Sequence, residues 1–152
     1  MAFLGTMNIV GSGLTAQQLR LDVISENITN LNTTRTENGE GPYRRKVVVF
    51  EAENGRDGFR LAMDRAMNTS NRGYERSGGV KVVEIAEDES PFPVSYDPTH
   101  PDADEDGYLE MPNITLVKEI TDAMAATQAY SANVTAFNTL KTVVARGMDI
   151  GR

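Results

Sequence analysis

The sequence predicts a mainly α fold with a small β insertion. In this fold, long N- and C-terminal helices pair as an antiparallel coiled coil and flank a middle region of short strands. At each end of the chain, apolar residues recur at alternating spacings of three and four. In the middle, short β-branched runs alternate with Gly, Asn and Pro. We therefore divide the chain into an N-terminal helix (1–32), a loop and β-rich region (33–111) and a C-terminal helix (112–152).

The first region carries an apolar stripe of the kind that a coiled coil buries. Its members are Phe3, Met7, Val10, Leu14, Gln17, Leu21, Ile24, Ile28 and Leu31, of which only Gln17 is polar. Glycines at positions 5, 11 and 13 each weaken a helix by about 1 kcal/mol relative to Ala, so the first turns should fray when unsupported. The polar stretch 30–41, followed by Pro42, predicts the end of this helix.

The last region has a matching stripe. It consists of Leu116, Ile120, Ala123, Thr127, Tyr130, Val134, Phe137, Lys141, Val144 and Met148. Lys141 interrupts the stripe, whereas Thr127 is tolerable in it. Pro112 suits a helix start, and Gly147 is expected in the last turn of the helix or just beyond it, as a C-terminal stop.

The middle region has the chemistry of a small sheet. Residues 47–50 and 80–85 are rich in valine and predict two strands, while 54–58, 71–79 and 91–101 are rich in turn residues. The basic run 44–46 next to the first strand is interpreted as a solvated strand edge.

Composition excludes several classes of site and partner. The chain has no Cys and a net charge of -7, so disulfides and thiolate chemistry are absent, and nucleic acid is not an expected partner. No apolar run approaches the roughly 20 residues that span a bilayer, so we expect no membrane insertion. We also expect no cleavable secretion signal, because the first basic residue is Arg20 and glycines interrupt the apolar start.

The acidic segment 102–107 is the most site-like stretch. Asp102, Asp104, Asp106 and Gly107 match the first half of a calcium loop, but the twelfth position, which should be Glu, is Asn113. An acidic surface turn is the favoured interpretation, and calcium binding is the alternative. The single histidine, His100, lies between prolines without a nucleophile motif. We therefore expect no enzyme activity, no metal site and no cofactor.

Two amphipathic helices are compatible with a monomeric hairpin, which is the commoner meaning of such stripes. Here the remaining helix surface is Asn, Thr, Gln, Ser and Ala, so a two-helix pair would bury only one narrow seam per helix. Such a pair is a poor independent domain, and small residues permit neighbours to approach closely. These features favour assembly over a monomer.

The order of the motifs adds a resemblance. Residues 25–30 (SENITN) close the first helix, 42–50 read PYRRKVVVF, 100–108 read HPDADEDGY, and 129–134 read AYSANV. Along essentially its whole length the chain resembles the flagellar rod and hook axial protein superfamily, and within it the proximal rod proteins. The asparagines at 27, 30 and 133 and Tyr130 match the superfamily generally, whereas the 42–50 and 100–108 runs are similar to the proximal rod proteins.

The resemblance implies a structural subunit of the bacterial flagellar basal body, in a periplasmic rod that transmits torque for motility. Its implied partners are other rod proteins, the adaptor at the rod base, the membrane ring protein and further copies of the chain. It also implies export through the flagellar type III apparatus without a cleavable signal. A soluble helical adaptor or binding module is the alternative function.

We predict that assembly uses the two stripes and the asparagines beside them. The predicted interface comprises Phe3, Met7, Val10, Leu14, Leu21, Ile24, Asn27, Ile28, Asn30, Leu31, Leu116, Ile120, Thr127, Tyr130, Asn133, Val134, Phe137, Val144 and Met148. A further hypothesis is that the chain ends are disordered in the free monomer and become ordered on assembly.

Overall fold

Two long helices flank a small β region in the computed structural model, which describes residues 2–36, 41–53 and 78–150. The elements, in chain order, are α1 (Ala2–Thr29), β1 (Lys46–Ala52), β2 (Val80–Glu87), β3 (Val94–Tyr96), β4 (Tyr108–Glu110) and α2 (Leu116–Ile150). The mainly α prediction with a β insertion is therefore confirmed. The turn-rich segment predicted at 54–58 lies outside the described residues, as does most of 71–79.

Asn30 ends the first helix, as the polar stretch predicted. Its backbone N–H and its side-chain Nδ2 both donate to the carbonyl of Glu26, at 3.1 and 2.9 Å. Its Oδ1 accepts from the Thr33 hydroxyl at 3.1 Å. The carbonyl groups at the end of a helix lack partners within the helix. Asn30 donates two hydrogen bonds to one of them, the Glu26 carbonyl.

The second helix begins at Leu116 and continues to Ile150. Gly147 lies in its last turn, as expected. One glycine costs a helix about 1 kcal/mol relative to Ala, which 35 helical residues can absorb. Neither described helix has a stretch long and apolar enough to cross a bilayer.

The strands form two separate two-stranded sheets, β1 with β2 and β3 with β4. The predicted valine-rich strands are confirmed as β1 and β2. The β3–β4 hairpin was not predicted, and its antiparallel register places Val94 opposite Glu110 and Tyr96 opposite Tyr108. Gly107 closes its loop with a φ of 80°, a conformation that favours glycine.

The chain divides into two compact units. The first contains the described residues of Met1–Gln18, Phe50–Val83 and Gln128–Arg152, and the second contains those of Leu19–Val49 and Glu84–Thr127. Among the described residues, five of the six buried apolar side chains belong to the second unit, namely Val23, Ile24, Tyr43, Leu109 and Ala126. The described part of the second unit therefore has the larger core.

Candidate assembly interface

A cluster of buried and half-buried polar side chains connects α1, β1 and α2 within the second unit. We call this cluster the polar joint, and it comprises Asn27, Tyr43, Arg45, Lys46, Glu119 and Asp122. Buried polar groups stabilise a fold only when their hydrogen bonds are satisfied. The hydrogen-bond partners of each residue therefore decide whether the joint stabilises the fold.

Asn27 uses its whole carboxamide. Its Nδ2 donates to the backbone carbonyl of Lys46 at 2.9 Å and to Glu119 Oε2 at 3.1 Å. Its Oδ1 accepts from the Lys46 N–H at 3.0 Å and from the Tyr43 hydroxyl at 3.2 Å. With 1% of its surface exposed, Asn27 bonds both backbone groups of the first residue of β1, as a neighbouring strand would. Only an amide has both the donors and the acceptor for this task.

Glu119 and Arg45 form the charged part of the joint. Glu119 is fully buried, and its Oε1 accepts from Arg45 Nε at 2.6 Å. Arg45 also reaches Asp122 Oδ2 at 3.3 Å and Asp88 Oδ2 at 3.6 Å. A buried charge is tolerated when an opposite charge and hydrogen bonds compensate it, and the planar guanidinium suits several carboxylates at once.

The basic run 44–46 is thus not a solvated strand edge, and that interpretation is wrong. Arg45 is buried in the joint. Arg44 is half-buried and lies over the Phe92 ring at 4.4 Å. Lys46 is half-buried and contacts Glu26 Oε1 at 2.5 Å. Each cation has a specific partner in the second unit, and a sequence pattern alone cannot reveal such partners.

Tyr43 completes the joint and titrates abnormally. Burial, and the nearby carboxylate of Glu26 next in importance, raise the pKa of Tyr43 far above its ordinary value of 10.0. Both effects disfavour the phenolate. Tyr43 therefore remains a neutral hydroxyl that donates to Asn27.

Within the second unit the two long helices run in opposite directions. Asn27 contacts Glu119, whereas Arg20, which is earlier in α1, forms an ion pair at 3.6 Å with Asp122, which is later in α2. The predicted antiparallel pairing agrees with these contacts, and coiled-coil packing stays a prediction. The buried α1 side chains of this unit are Val23, Ile24 and Asn27, of which the predicted apolar stripe contained only Ile24.

In the first unit, small residues permit close contacts. A Cβ atom on Gly13 would lie 3.0 Å from Asn133 Nδ2, and one on Gly79 would lie 2.7 Å from Ser12 Oγ. The Ser12 hydroxyl donates to the Ile9 carbonyl at 2.8 Å and accepts from the Val80 N–H at 3.1 Å. Gly13, which the sequence marks as a weak point of the helix, is therefore a contact position.

The predicted interface residues fall into three groups by exposure. Ile24 and Asn27 are buried, with their partners in their own chain. The half-buried members are Met7, Val10, Leu14, Leu21, Ile28, Asn30, Leu31, Tyr130, Asn133, Val134, Phe137 and Val144. Leu116, Ile120, Thr127 and Met148 are exposed. The Phe3 side chain lies outside the described part of the structure.

The start of α2 presents an exposed apolar stripe, which we call the α2 stripe. Val117, Ile120 and Met124 are 73%, 46% and 68% exposed. Their spacings of three and four place them on one face of the helix. The fully buried residues Glu119 and Ala126 lie on another face of the helix, so the described part of the second unit leaves the α2 stripe largely exposed.

The carboxylates of the acidic loop have partners both within the loop and in the segment that follows α1. Asp102 accepts from the Thr34 hydroxyl at 2.9 Å and pairs with Arg35 at 2.7 Å. Asp97 accepts from the hydroxyl and N–H of Thr99, bonds that hold its pKa below the usual range. Among the described residues, no group of three or more His, Cys, Asp or Glu side chains is placed to hold a metal ion. These contacts favour the acidic turn over the calcium loop.

Comparisons with known proteins place this architecture in a family. A family model described as flagella basal body rod protein matches residues 7–35, and one described as the C-terminal part of flagellar basal body rod FlgEFG proteins matches 105–150. The flagellar basal-body rod protein FlgC of Bacillus subtilis (strain 168) is 41% identical over 97% of both chains.

Two further relatives carry the same name. FlgC of Borreliella burgdorferi is 40% identical over 94% of this chain and 93% of its own, and FlgC of Escherichia coli O6:H1 is 36% identical over the full length of both. These similarities extend through α1, the β region and α2. The chain therefore belongs to the FlgC family of flagellar basal-body rod proteins.

Proposed function

We propose that this structural subunit of the flagellar basal-body rod polymerises through the apolar faces that its terminal helices leave uncovered, and that torque passes through these contacts. The observation that carries the proposal is the α2 stripe, whose three apolar side chains remain 46% to 73% exposed in the single chain. Contiguous exposed apolar surface marks interaction sites in soluble proteins.

The balance of buried and exposed apolar side chains supports the same proposal. Among the described residues, six apolar side chains are buried and two of those are alanines, whereas sixteen large apolar side chains are exposed. Burial of a large apolar side chain stabilises by about 1.5–3 kcal/mol. A chain that exposes this many large apolar side chains gains this stabilisation when neighbouring subunits cover them.

The threonines of α2 make its surface suitable for close packing. Five exposed threonine hydroxyls donate to the carbonyl four residues earlier, at 2.8 to 2.9 Å: those of Thr121, Thr127, Thr135, Thr139 and Thr142. A buried hydroxyl without a partner is costly, but these already have one within the helix. A neighbouring subunit can therefore cover them without leaving the hydroxyl proton unsatisfied.

The polar joint serves this function from the inside. Asn27 and Glu119 tie β1 to both helices through bonds that have defined directions. Apolar packing alone tolerates sliding, whereas buried polar networks specify one arrangement. The joint thus holds the uncovered helix faces of the second unit in a fixed register for their neighbours.

The proposal also covers the partners of the subunit and its route of export. The partners are other rod proteins, the adaptor at the rod base, the membrane ring protein and further copies of this chain. The subunit reaches the rod through the flagellar type III apparatus. The absence of Cys suits a chain that passes unfolded through a channel, because no disulfide can form in the wrong pairing.

The test is to place a charge on the α2 stripe. Ile120→Asp and Met124→Asp should leave the isolated chain folded, because both side chains are exposed. Both variants should be depleted from purified basal bodies and should impair swimming, whereas the control Ile120→Leu should behave as wild type. Normal incorporation of both Asp variants would contradict the proposal. Ile24 is unsuitable for this test, because it is buried and its substitution would report on folding.

A further inference from the structure

We propose that the outer face of the β3–β4 hairpin is a second docking surface, and that it binds a Lys- or Arg-bearing surface of a different basal-body protein. This inference rests on the proposed function only in assuming that the chain is built into the rod. We call Val94, Tyr96, Tyr108 and Glu110 the hairpin face.

The register of the hairpin places these side chains together. Val94 lies opposite Glu110 and Tyr96 lies opposite Tyr108. Alternate residues of a strand point to opposite sides of a sheet, so these four share one side. Leu109, on the other side, is 6% exposed and belongs to the core of the second unit.

The hairpin face is apolar and aromatic, yet it lies in solvent. Val94, Tyr96 and Tyr108 are 62%, 65% and 50% exposed. A hairpin with one side in the core normally presents polar residues on the other. Tyrosine is enriched in the cores of protein interfaces because it combines a large apolar body with a polar tip. The face therefore has the composition of an interface rather than of an ordinary surface.

The two rings are already held in position. Their centroids are 5.3 Å apart with the planes at 65°, an edge-to-face contact. Gly107 lies so close beneath Tyr96 that a Cβ atom there would be 3.0 Å from its Cε2. A surface whose side chains are fixed before binding loses less entropy when a partner arrives.

The charge around the face selects a cationic partner. Residues 94–110 contain six carboxylates and neither Lys nor Arg. Of these carboxylates, Asp102 is paired with Arg35. A cavity of about 390 Å³ beside the face is lined by the carboxylates of Asp102, Asp104 and Glu110, by the Tyr108 ring and by Arg35, whose charge Asp102 offsets. An Arg or Lys side chain entering it would meet the carboxylates of Asp104 and Glu110 and the Tyr108 ring, all of which attract cations.

A second copy of the chain fits this surface poorly. Two copies cannot meet face to face here, because two acidic hairpin faces would repel each other, and the net charge of -7 makes other surfaces of a copy less attractive to the face than a basic protein. The occupant that the charges favour is therefore a basic surface of another protein.

Site-specific photo-cross-linking in cells tests the proposal. The full chain carries the photo-cross-linking residue p-benzoyl-phenylalanine in place of Tyr96 or, as a control on the opposite side of β3, in place of Ser95. In purified basal bodies, position 96 should cross-link to a different protein next to its Lys or Arg residues, and position 95 should not. A cross-link from position 96 to another copy of the chain, or no cross-link in basal bodies that contain the variant, would overturn the proposal. Presence of the variant in basal bodies reports separately on the rod function.

Purified proteins decide the matter if the cross-linking variant does not enter basal bodies. Binding of the chain to each of the other purified rod and ring proteins is measured for wild type, for Tyr96→Ser with Tyr108→Ser, and for Ser95→Ala, with folding checked by circular dichroism. One partner should bind wild type and Ser95→Ala alike and the double variant about tenfold more weakly. Its binding should also weaken as salt is raised. Equal binding by all three chains, or binding by none, would overturn the proposal.

Discussion

Glu119 Oε1 accepts a hydrogen bond from Arg45 Nε at 2.6 Å, although the Glu119 side chain is fully buried. The other carboxylate oxygen accepts from Asn27 Nδ2 at 3.1 Å. One carboxylate thus links α2 to the residue before β1 and to α1. The stability of the second unit therefore depends on this charge being present and paired.

Glu119→Gln should destabilise the second unit by about 3 kcal/mol, the scale of breaking a buried ion pair. Both oxygens of Glu119 accept from donors. A glutamine must therefore turn its NH₂ group toward one of them, and it also leaves Arg45 without its closest counter-charge. Urea unfolding of the purified chain measures the change.

Glu51→Gln is the matched control. Glu51 pairs with Lys81 at 3.1 Å, but their side chains are 58% and 55% exposed, so its loss should cost about 0.5 kcal/mol or less. Equal losses for the two variants would contradict the role given to the joint.

Tyr43 should make the fold sensitive to alkali. Its pKa in the folded chain lies above the ordinary value of 10.0, so the folded state keeps a proton that the unfolded state loses. Its contribution is complete below pH 10 and declines as pH rises above 10. The free energy of unfolding should therefore fall above pH 10, and less steeply in Tyr43→Phe. A phenolate absorbance titration in which Tyr43→Phe loses no late-ionising group would count against this explanation.

Gly79→Ala should destabilise the first unit. The added Cβ would lie 2.7 Å from Ser12 Oγ, which forces that hydroxyl away from the Val80 N–H. The double variant Gly79→Ala with Ser12→Ala should lose less stability than the two single variants together, because the Ser12 Oγ that would clash is gone. Thermal unfolding measures the stability of all three variants.

Gly11→Ala serves as the control for Gly79→Ala. Nothing lies within 4 Å of its Cβ position, so it should stabilise α1 by about 1 kcal/mol. Destabilisation by Gly11→Ala would refute the contact between residues 12 and 79. So would a double variant, Ser12→Ala with Gly79→Ala, whose loss of stability equals the sum of the two single losses.

Amide exchange in dilute monomer should be uneven along α1. Val23, Ile24 and Asn27 are buried in the second unit, whereas Leu4 and Ile9 are 61% and 39% exposed. Exchange should therefore be slow near residues 23–27 and fast in the first turns, since protection follows local burial. Equal, strong protection from residue 4 to residue 29 would refute the hypothesis that the chain end becomes ordered on assembly.

The long helices and the two valine-rich strands were predictable because their signals are local. Repeated three-four spacing needs only neighbouring residues, and so do the valine runs that became β1 and β2. The three-residue strands β3 and β4 have no such run. They depend on the turn at Gly107 and on the burial of Leu109, both of which involve the folded chain.

The polar joint was not predictable for a different reason. Asn27 matched a family motif, but nothing in the sequence distinguishes Glu119 from a solvated helix residue or Arg45 from a surface cation. Glu119 lies 74 residues from Arg45, and each is tolerated inside only because of the other. The predicted apolar stripe of α1 shares only Ile24 with the buried face of the second unit, because that face includes the polar residue Asn27.

A reconstruction of the intact basal body would show what covers the α2 stripe. In it, Val117, Ile120 and Met124 of each copy should lie against side chains of adjacent rod subunits, so that their exposure of 73%, 46% and 68% in the single chain falls to the level of a protein core. A reconstruction in which these three side chains still face solvent would show that assembly does not use the stripe.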